Sequence, residues 1–141
     1  MSVTLGGKRR LFEVEVGIAA NTVVNKGDHV GSASGGNGYA RTITAAADVV
    51  PLGRARSTVD NTGGAAGAKT FFVDTGREVF CWLVKNDGTA PVLATNVFGL
   101  VYWSAANTVS PDDATGTRTL AGRAWMIESD GLIAVEPLRE V

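Results

Sequence analysis

The chain has little of the residue types that most often carry chemistry. Its 141 residues include one cysteine, Cys81, and one histidine, His29. A lone cysteine cannot form a disulfide within the chain, and a zinc site would need other ligands. A general base needs a positioned partner, which a single histidine beside Asp28 does not establish. We therefore expect no catalytic residue, no metal site and no cofactor, and we interpret Cys81 as a small buried apolar residue.

Long apolar runs are also missing, and charged residues make up only 19% of the sequence. No stretch reaches the roughly 18 to 20 apolar residues of a membrane-spanning helix. Residues 1–10 lack the apolar core of a signal peptide. We therefore expect synthesis in a cytoplasm and no membrane partner.

The charge is unevenly distributed although the net charge is only −1. Lys8, Arg9 and Arg10 supply three of the 13 basic residues, which leaves ten against 14 acidic residues from position 11 onward. Nucleic-acid binding usually needs a basic patch that contacts many phosphates. We therefore expect no nucleic-acid partner and interpret residues 1–10 as a basic arm that is solvated or docks on a partner.

Glycine is abundant: there are 18 glycines, nearly twice the roughly 7% that is average. Each glycine inside a helix costs about 1 kcal/mol relative to alanine, so this composition favours turns over helices. A chain of this length fits one domain with one core.

Strand patterns recur every 8 to 14 residues, with turn residues between them. Residues 12–16 alternate apolar and acidic side chains, which predicts a strand with one buried face and one solvent-exposed face. Residues 78–85 are apolar on both faces, which predicts a central strand followed by a hairpin turn at residues 86–89. Residues 45–48 could form one helical turn before Pro51. We find no sustained helical periodicity and no internal repeat, so we predict an all-β fold: a single-domain small β-barrel or β-sandwich over residues 11–141, with an extended arm over residues 1–10.

Two polar segments could be sites but are better explained as connections. The glycine-rich run GSASGGNG at 31–38 lacks the Gly-Lys-Ser/Thr ending and the helix of a phosphate-binding loop. Asp112 and Asp113 lack the alternate spacing of calcium ligands, and they follow Ser110 and Pro111 as turn residues do. We predict a loop in both places.

Aromatic residues are the remaining candidates for binding. Three tryptophans lie on three separate predicted strands that are apolar on both faces, and such residues most often belong to a core or a subunit interface. Stacking on sugars or bases is the alternative. The residues that we assign to an oligomer interface or the core are Phe80, Trp82, Tyr102, Trp103 and Trp125.

The second half of the sequence also resembles a known family. After Phe98, the run GLVYWSAANTVSPDDATGTRTLAGRAW and the later DGLIAVEPL resemble the carboxy-terminal half of the head decoration, or capsid cement, proteins of tailed bacteriophages. Near the start, TVVNKGDHVG at 22–31 is similar to the opening strand and turn of that family. The similarity covers about half of the chain. The arm before Leu11 and the segment at 53–70 depart from the family's compact pattern.

The resemblance implies a protein of the virion that lies on the outer surface of an icosahedral head. Such proteins are β-barrels or β-sandwiches, often homotrimers, that stabilise contacts between subunits of the major capsid protein. We therefore expect two partners, the major capsid protein and other copies of this chain, and no enzyme activity. The residues expected to bind the capsid are Lys8, Arg9, Arg10 and Leu11. The alternatives are a carbohydrate- or receptor-binding β module of a virion and a tail-tube or connector subunit.

Overall fold

The computed structural model describes residues 13–33, 38–46, 49–76 and 81–137. The predicted all-β class is confirmed, because these residues form β-strands, a single 3-10 turn at Ala94–Asn96 and connections. The arm at 1–10, Leu11 and Phe80 lie outside the described residues. The strands are β1 (Glu13–Gly17), β2 (Val23–Val24), β3 (His29–Ala33), β4 (Arg41–Thr42), β5 (Val49–Ala55), β6 (Val59–Asp60), β7 (Thr70–Asp74), β8 (Trp82–Asn86), β9 (Leu100–Ala105), β10 (Thr108–Ser110), β11 (Leu120–Ile127) and β12 (Ile133–Glu136).

The first half of the chain forms a five-stranded antiparallel sheet, which we call the amino-terminal sheet. Its strand order is β1-β7-β5-β3-β4. A parallel bridge between Ile18 and Ala40 links the two edge strands, because Ala40 N donates to Gly17 O (2.8 Å) and Ala19 N donates to Ala40 O (2.9 Å). The sheet therefore closes on itself at one point. Strands β2 and β6 pair separately beside it.

The second half forms a closed five-stranded barrel, which we call the carboxy-terminal barrel. Its strand order is β8-β12-β11-β9-β10, and the parallel pair β10 and β8 closes it. The other neighbouring pairs are antiparallel. The predicted turn at residues 129–131 connects the paired strands β11 and β12, as expected.

The two halves have the same topology, so the expectation of no internal repeat was wrong. Replacing β1, β3, β4, β5 and β7 by β8, β9, β10, β11 and β12 converts the strand order of the sheet into that of the barrel. In both halves the single parallel contact joins the first and third strands in chain order. These are β1 and β4 in the sheet, and β8 and β10 in the barrel. The chain therefore contains two copies of one five-stranded pattern.

The strand registers agree residue by residue. Val30 lies opposite Gly53 and Val101 opposite Gly122, and in both pairs the next step of the ladder skips one residue, Leu52 or Ala121. Further along, Ala55 lies opposite Val73 and Ala124 opposite Val135. Because both halves also share a β-bulge at the same position, chance does not explain their common strand order.

A glycine is required at this bulge in both copies. Gly53 has a φ of 148° and Gly122 a φ of 155°. A Cβ on Gly53 would overlap the carbonyl oxygen of Asp74, and one on Gly122 would overlap that of Glu136. The motif Gly-Arg-Ala at 53–55 and 122–124 is the short signature of this shared geometry.

Two clusters of buried residues replace the single core that chain length suggested. The cluster of the sheet contains residues such as Ile18, Val30 and Phe71. The cluster of the barrel contains residues such as Trp82, Trp103 and Ile133. Ile43 is the exception in sequence, because it follows β4 of the sheet and yet packs in the cluster of the barrel.

Three local predictions were wrong. Residues 31–33 of the predicted glycine-rich loop belong to β3, and residues 34–37 lie outside the described residues. Residues 86–89 do not connect a hairpin, because β8 pairs with β12 and β10 and a long connection leads from it to β9. Asp87 still makes turn contacts there, since its Oδ1 accepts from Thr89 N at 2.7 Å. Residues 45–46 of the expected helical turn are not helical, and 47–48 lie outside the described residues. Within the described ranges no helix has the length and apolar character to span a membrane.

Candidate functional site

His29 lies at the junction between the sheet and the barrel. Its side chain points outward from β3 and is 5% exposed. Its ring centroid lies 5.2 Å from that of Trp82, edge-on, and 4.8 Å from that of Trp103. Burial, with a smaller effect of the nearby Arg54 charge, lowers the pKa of His29 from 6.5 to about 4. The residue is therefore neutral near pH 7 and serves as a packing element between the two halves.

A hydrogen-bond network beside His29 joins the two halves. Asn107, on the turn between β9 and β10, accepts at its Oδ1 from His29 N (2.8 Å) and donates from Nδ2 to Asp28 Oδ1 (2.9 Å). Asp28 Oδ2 accepts from Thr42 Oγ1 (2.8 Å) and from Asn25 N (3.0 Å). Asp28 and His29 therefore help to hold the sheet and the barrel together.

A second set of contacts fixes the same junction. Ile43 N donates to His29 O (2.8 Å), which holds the Ile43 side chain in the core of the barrel. Thr119 Oγ1 donates to Ala46 O (2.8 Å) and accepts from Val49 N (3.1 Å). The two halves are thus joined by both packing and hydrogen bonds.

The predicted aromatic residues occupy different environments. Trp82 and Trp103 are 8% and 4% exposed and belong to the core of the barrel. Tyr102 is half-buried, and Trp125 is 46% exposed. Phe80 and the expected capsid-binding residues Lys8, Arg9, Arg10 and Leu11 lie outside the described residues. Trp125 alone of the three tryptophans could contact a partner.

Trp125 belongs to a larger exposed surface on the outside of the barrel. Phe98 lies against it in an edge-on contact, with ring centroids 5.5 Å apart. Arg123, which faces Leu100 across the strands, donates from Nη1 to Phe98 O. Met126 and Leu83 both face Ala134 on β12, one on each side. We call this surface the apolar patch; its exposed members are Leu83 (56%), Phe98 (61%), Leu100 (41%), Trp125 (46%) and Met126 (54%).

The matching surface of the amino-terminal sheet is more polar, although Phe72, which takes the register position of Ala134, is 46% exposed there. By register, Leu83 corresponds to Glu15; Trp125 and Met126 follow Ala124 as Arg56 and Ser57 follow the equivalent Ala55. Arg56 forms an exposed salt bridge with Glu13 (2.8 Å). This part of the sheet has a shallow pocket, lined by residues that include Lys26, Gly27, Arg54, Arg56 and Asp74.

Phe98 occupies a position where its counterpart is glycine. Ala124 N donates to Gly99 O and Phe98 N to Ala124 O; in the sheet, Ala55 N donates to Asp28 O and Gly27 N to Ala55 O. These bonds equate Phe98 with Gly27. Both residues adopt left-handed backbone angles, with φ of 72° for Phe98 and 91° for Gly27. A bulky side chain in this conformation is a genuine outlier.

The other polar candidates have structural explanations. Asp112 Oδ1 accepts from Ala114 N (2.8 Å) and Asp113 Oδ1 from Thr115 N (3.1 Å), which is the turn chemistry expected. Cys81 is half-buried where the sequence predicted a buried residue. In the part of the chain that the structure describes, no three His, Cys, Asp or Glu side chains are grouped so as to hold a metal ion.

Comparisons with models of protein families, with curated proteins and with solved structures find no match to this chain. We therefore infer the function of the chain from the surfaces of the molecule itself. Sequence reasoning identified Trp125 but missed Phe98, Leu100 and Met126 as members of one surface. The signal that could have found them is the repeated Gly-Arg-Ala motif, which would have aligned the two halves and exposed the change from charged to apolar residues.

Proposed function

We propose that this chain is a decoration, or cement, protein of a tailed-bacteriophage head, with an adhesive role and no catalysis. It would bind the outer surface of the shell and stabilise contacts between major capsid subunits. Each contact is repeated over the particle, so a modest affinity per copy would be amplified by multivalent attachment.

The observation that supports this proposal best is the apolar patch. Trp125 and Met126 lie on β11 and are 46% and 54% exposed, and Phe98, just before the neighbouring strand β9, is 61% exposed. Contiguous exposed apolar surface marks interaction sites, and aromatic residues and methionine are enriched in protein interfaces. The resemblance of residues 98–138 to cement proteins covers the same strands that carry the patch. Adhesion through broad surfaces is therefore favoured over chemistry at a small site.

The basic arm supplies the second half of the proposal. Lys8, Arg9 and Arg10 would pair with acidic groups of the capsid, and this attraction would weaken as salt concentration rises. Glycines 6 and 7 suit an arm that becomes ordered on binding.

The test is occupancy on purified heads that lack the protein. We expect the full chain to bind, to raise the temperature at which heads disrupt, and to occupy external positions in a low-resolution map. A chain lacking residues 1–10 should keep the β-sheet circular dichroism of the full chain but decorate heads poorly. Undiminished occupancy would contradict the arm assignment, and failure of the full chain to bind any such head would contradict the proposed function.

A carbohydrate- or receptor-binding module is the second candidate, and the exposed Trp125 favours it. Such a module needs an exposed aromatic ring on which a sugar can stack. The rings of Phe98 and Trp125 meet at 70°, so they do not form a flat platform together. Titration with host-surface glycans separates the candidates: quenching of Trp125 fluorescence that is lost in Trp125→Ala would support the module, whereas the cement proposal expects no response.

A further inference from the structure

The fold does not require the apolar patch. The amino-terminal sheet has the same topology and register, and it places Glu15 and Arg56 where the barrel places Leu83 and Trp125. One chain thus contains two versions of the same surface: one has charged residues beside the exposed Phe72, and the other has five exposed apolar residues. The apolar version therefore serves a contact that the strands themselves do not need.

Phe98 gives a second, independent indication of such a contact. It is held in a left-handed conformation that its counterpart, Gly27, adopts without strain. Its side chain is 61% exposed, so burial within the chain offsets little of that cost. Strain at an exposed aromatic residue points to a function outside the isolated chain.

The contact inside the chain indicates what covers the patch. His29 points outward from β3 of the sheet and is buried against Trp82 and Trp103 of the barrel. Leu100 has the same register position on β9 of the barrel, since it faces Arg123 as His29 faces Arg54. Leu100 is 41% exposed. The face of the barrel that corresponds to the docking face of the sheet is therefore uncovered.

We propose that the amino-terminal sheet of a second copy of this chain covers the apolar patch, in a head-to-tail contact. Charge supports this occupant, because Arg123 lies within the patch and β1 of the sheet exposes Glu15, whereas Glu13 is already paired with Arg56. A head-to-tail contact produces a ring when its rotation closes and a filament when it does not. The inference deepens the proposed function and rests on it for its biological setting, in which a ring would present several capsid-binding faces at once.

Light scattering after size-exclusion chromatography tests the surface on the purified full-length chain without heads. We expect the wild type to be oligomeric and Trp125→Glu to be monomeric, because a charged side chain would replace a large apolar one in the buried contact. Val23→Glu is the matched control: Val23 is 45% exposed but lies on β2, outside both the patch and the five-stranded sheet proposed to cover it, so this variant should remain oligomeric. A monomeric wild type, an oligomeric Trp125→Glu or a monomeric Val23→Glu would each overturn the proposal.

Phe98→Gly separates association from folding. It installs the residue that the sheet has at this position, so association should be lost, while the melting temperature should stay unchanged or rise when both chains are diluted until the wild type is also monomeric. Association at the wild-type level in this variant would contradict a role for Phe98.

A photo-crosslinking residue at position 100 tests the orientation. In a mixture of isotope-labelled and unlabelled chains, crosslinks between chains should map to residues 13–76. Crosslinks to residues 82–136 of the other chain would overturn the head-to-tail arrangement. These outcomes are independent of the capsid: a chain that associates through the patch but ignores heads contradicts only the proposed function, whereas a monomer that decorates heads contradicts only this inference.

Discussion

His29 shows how one residue can couple two folding units. A histidine beside an aspartate suggests an acid–base pair, but here Asp28 is bound to Asn107 and the imidazole packs between two indoles. His29 therefore contributes to the packing between the two halves. Its neighbours along the chain, Gly27 and Asp28, gave no hint of the tryptophans, which lie more than 50 residues away in sequence.

The stability of the chain should therefore depend on pH through His29. Its pKa falls from 6.5 to about 4 on folding, so the unfolded chain binds more protons between these values. The free energy of unfolding is therefore highest above pH 6.5. It falls by about 3 kcal/mol in total as the pH falls from 6.5 towards 4. Urea unfolding at a series of pH values measures it. His29→Leu, which copies Leu100 of the second unit, should flatten the dependence across this window; an unchanged slope in that variant would contradict the assignment.

At the scale of strands and turns, local patterns predicted most strands but not their partners. Alternation identified β1, and the Ser-Asp-Gly turn correctly joined β11 to β12. The Asn-Asp-Gly-Thr turn after β8 looked equally like a hairpin, yet β8 finds its partners in β10 and β12. Pairing between distant strands depends on closure of the barrel, which no local signal encodes.

The bulge glycine is the element whose requirement is easiest to test. Gly122→Ala would place a Cβ against the carbonyl oxygen of Glu136 at a left-handed backbone position. We expect a loss of about 1 to 3 kcal/mol in the free energy of unfolding, measured by urea denaturation. Gly88→Ala is the control, because nothing lies within 4 Å of its added Cβ and the change should stay within about 0.5 kcal/mol. Equal losses for the two variants would show that the bulge imposes no special requirement.

For the molecule as a whole, the sequence predicted the all-β class and missed the duplication. Residues shared by the two halves are confined to positions with a steric role: inward valines such as Val30 and Val101, and the Gly-Arg-Ala bulge. Apart from Arg54 and Arg123, the outward residues described above differ between the halves, so the halves look unrelated along the chain. The apolar patch could not be recognised as one surface without the pairing of β9, β11, β12 and β8.

Packing across the junction should make the two halves interdependent. Ile43 comes from the sheet half but is buried in the core of the barrel, so Ile43→Ala should cost about 2 to 5 kcal/mol. Its effect should appear as faster amide hydrogen exchange in β8–β12. Ile18→Ala, at a residue buried in the core of the sheet, should instead speed exchange mainly in β1–β7. Faster exchange confined to residues near position 43 would show that the halves are energetically separate.

The ladder between β1 and β7 also has a mechanical consequence. Five consecutive residues of β1, from Glu13 to Gly17, pair with β7. If residues 1–10 hold the protein on an expanding shell, tension would run along the axis of β1. Force applied along a strand loads its cross-strand hydrogen bonds together in shear, and a tether attached in this way resists detachment better than one that peels its bonds apart one by one.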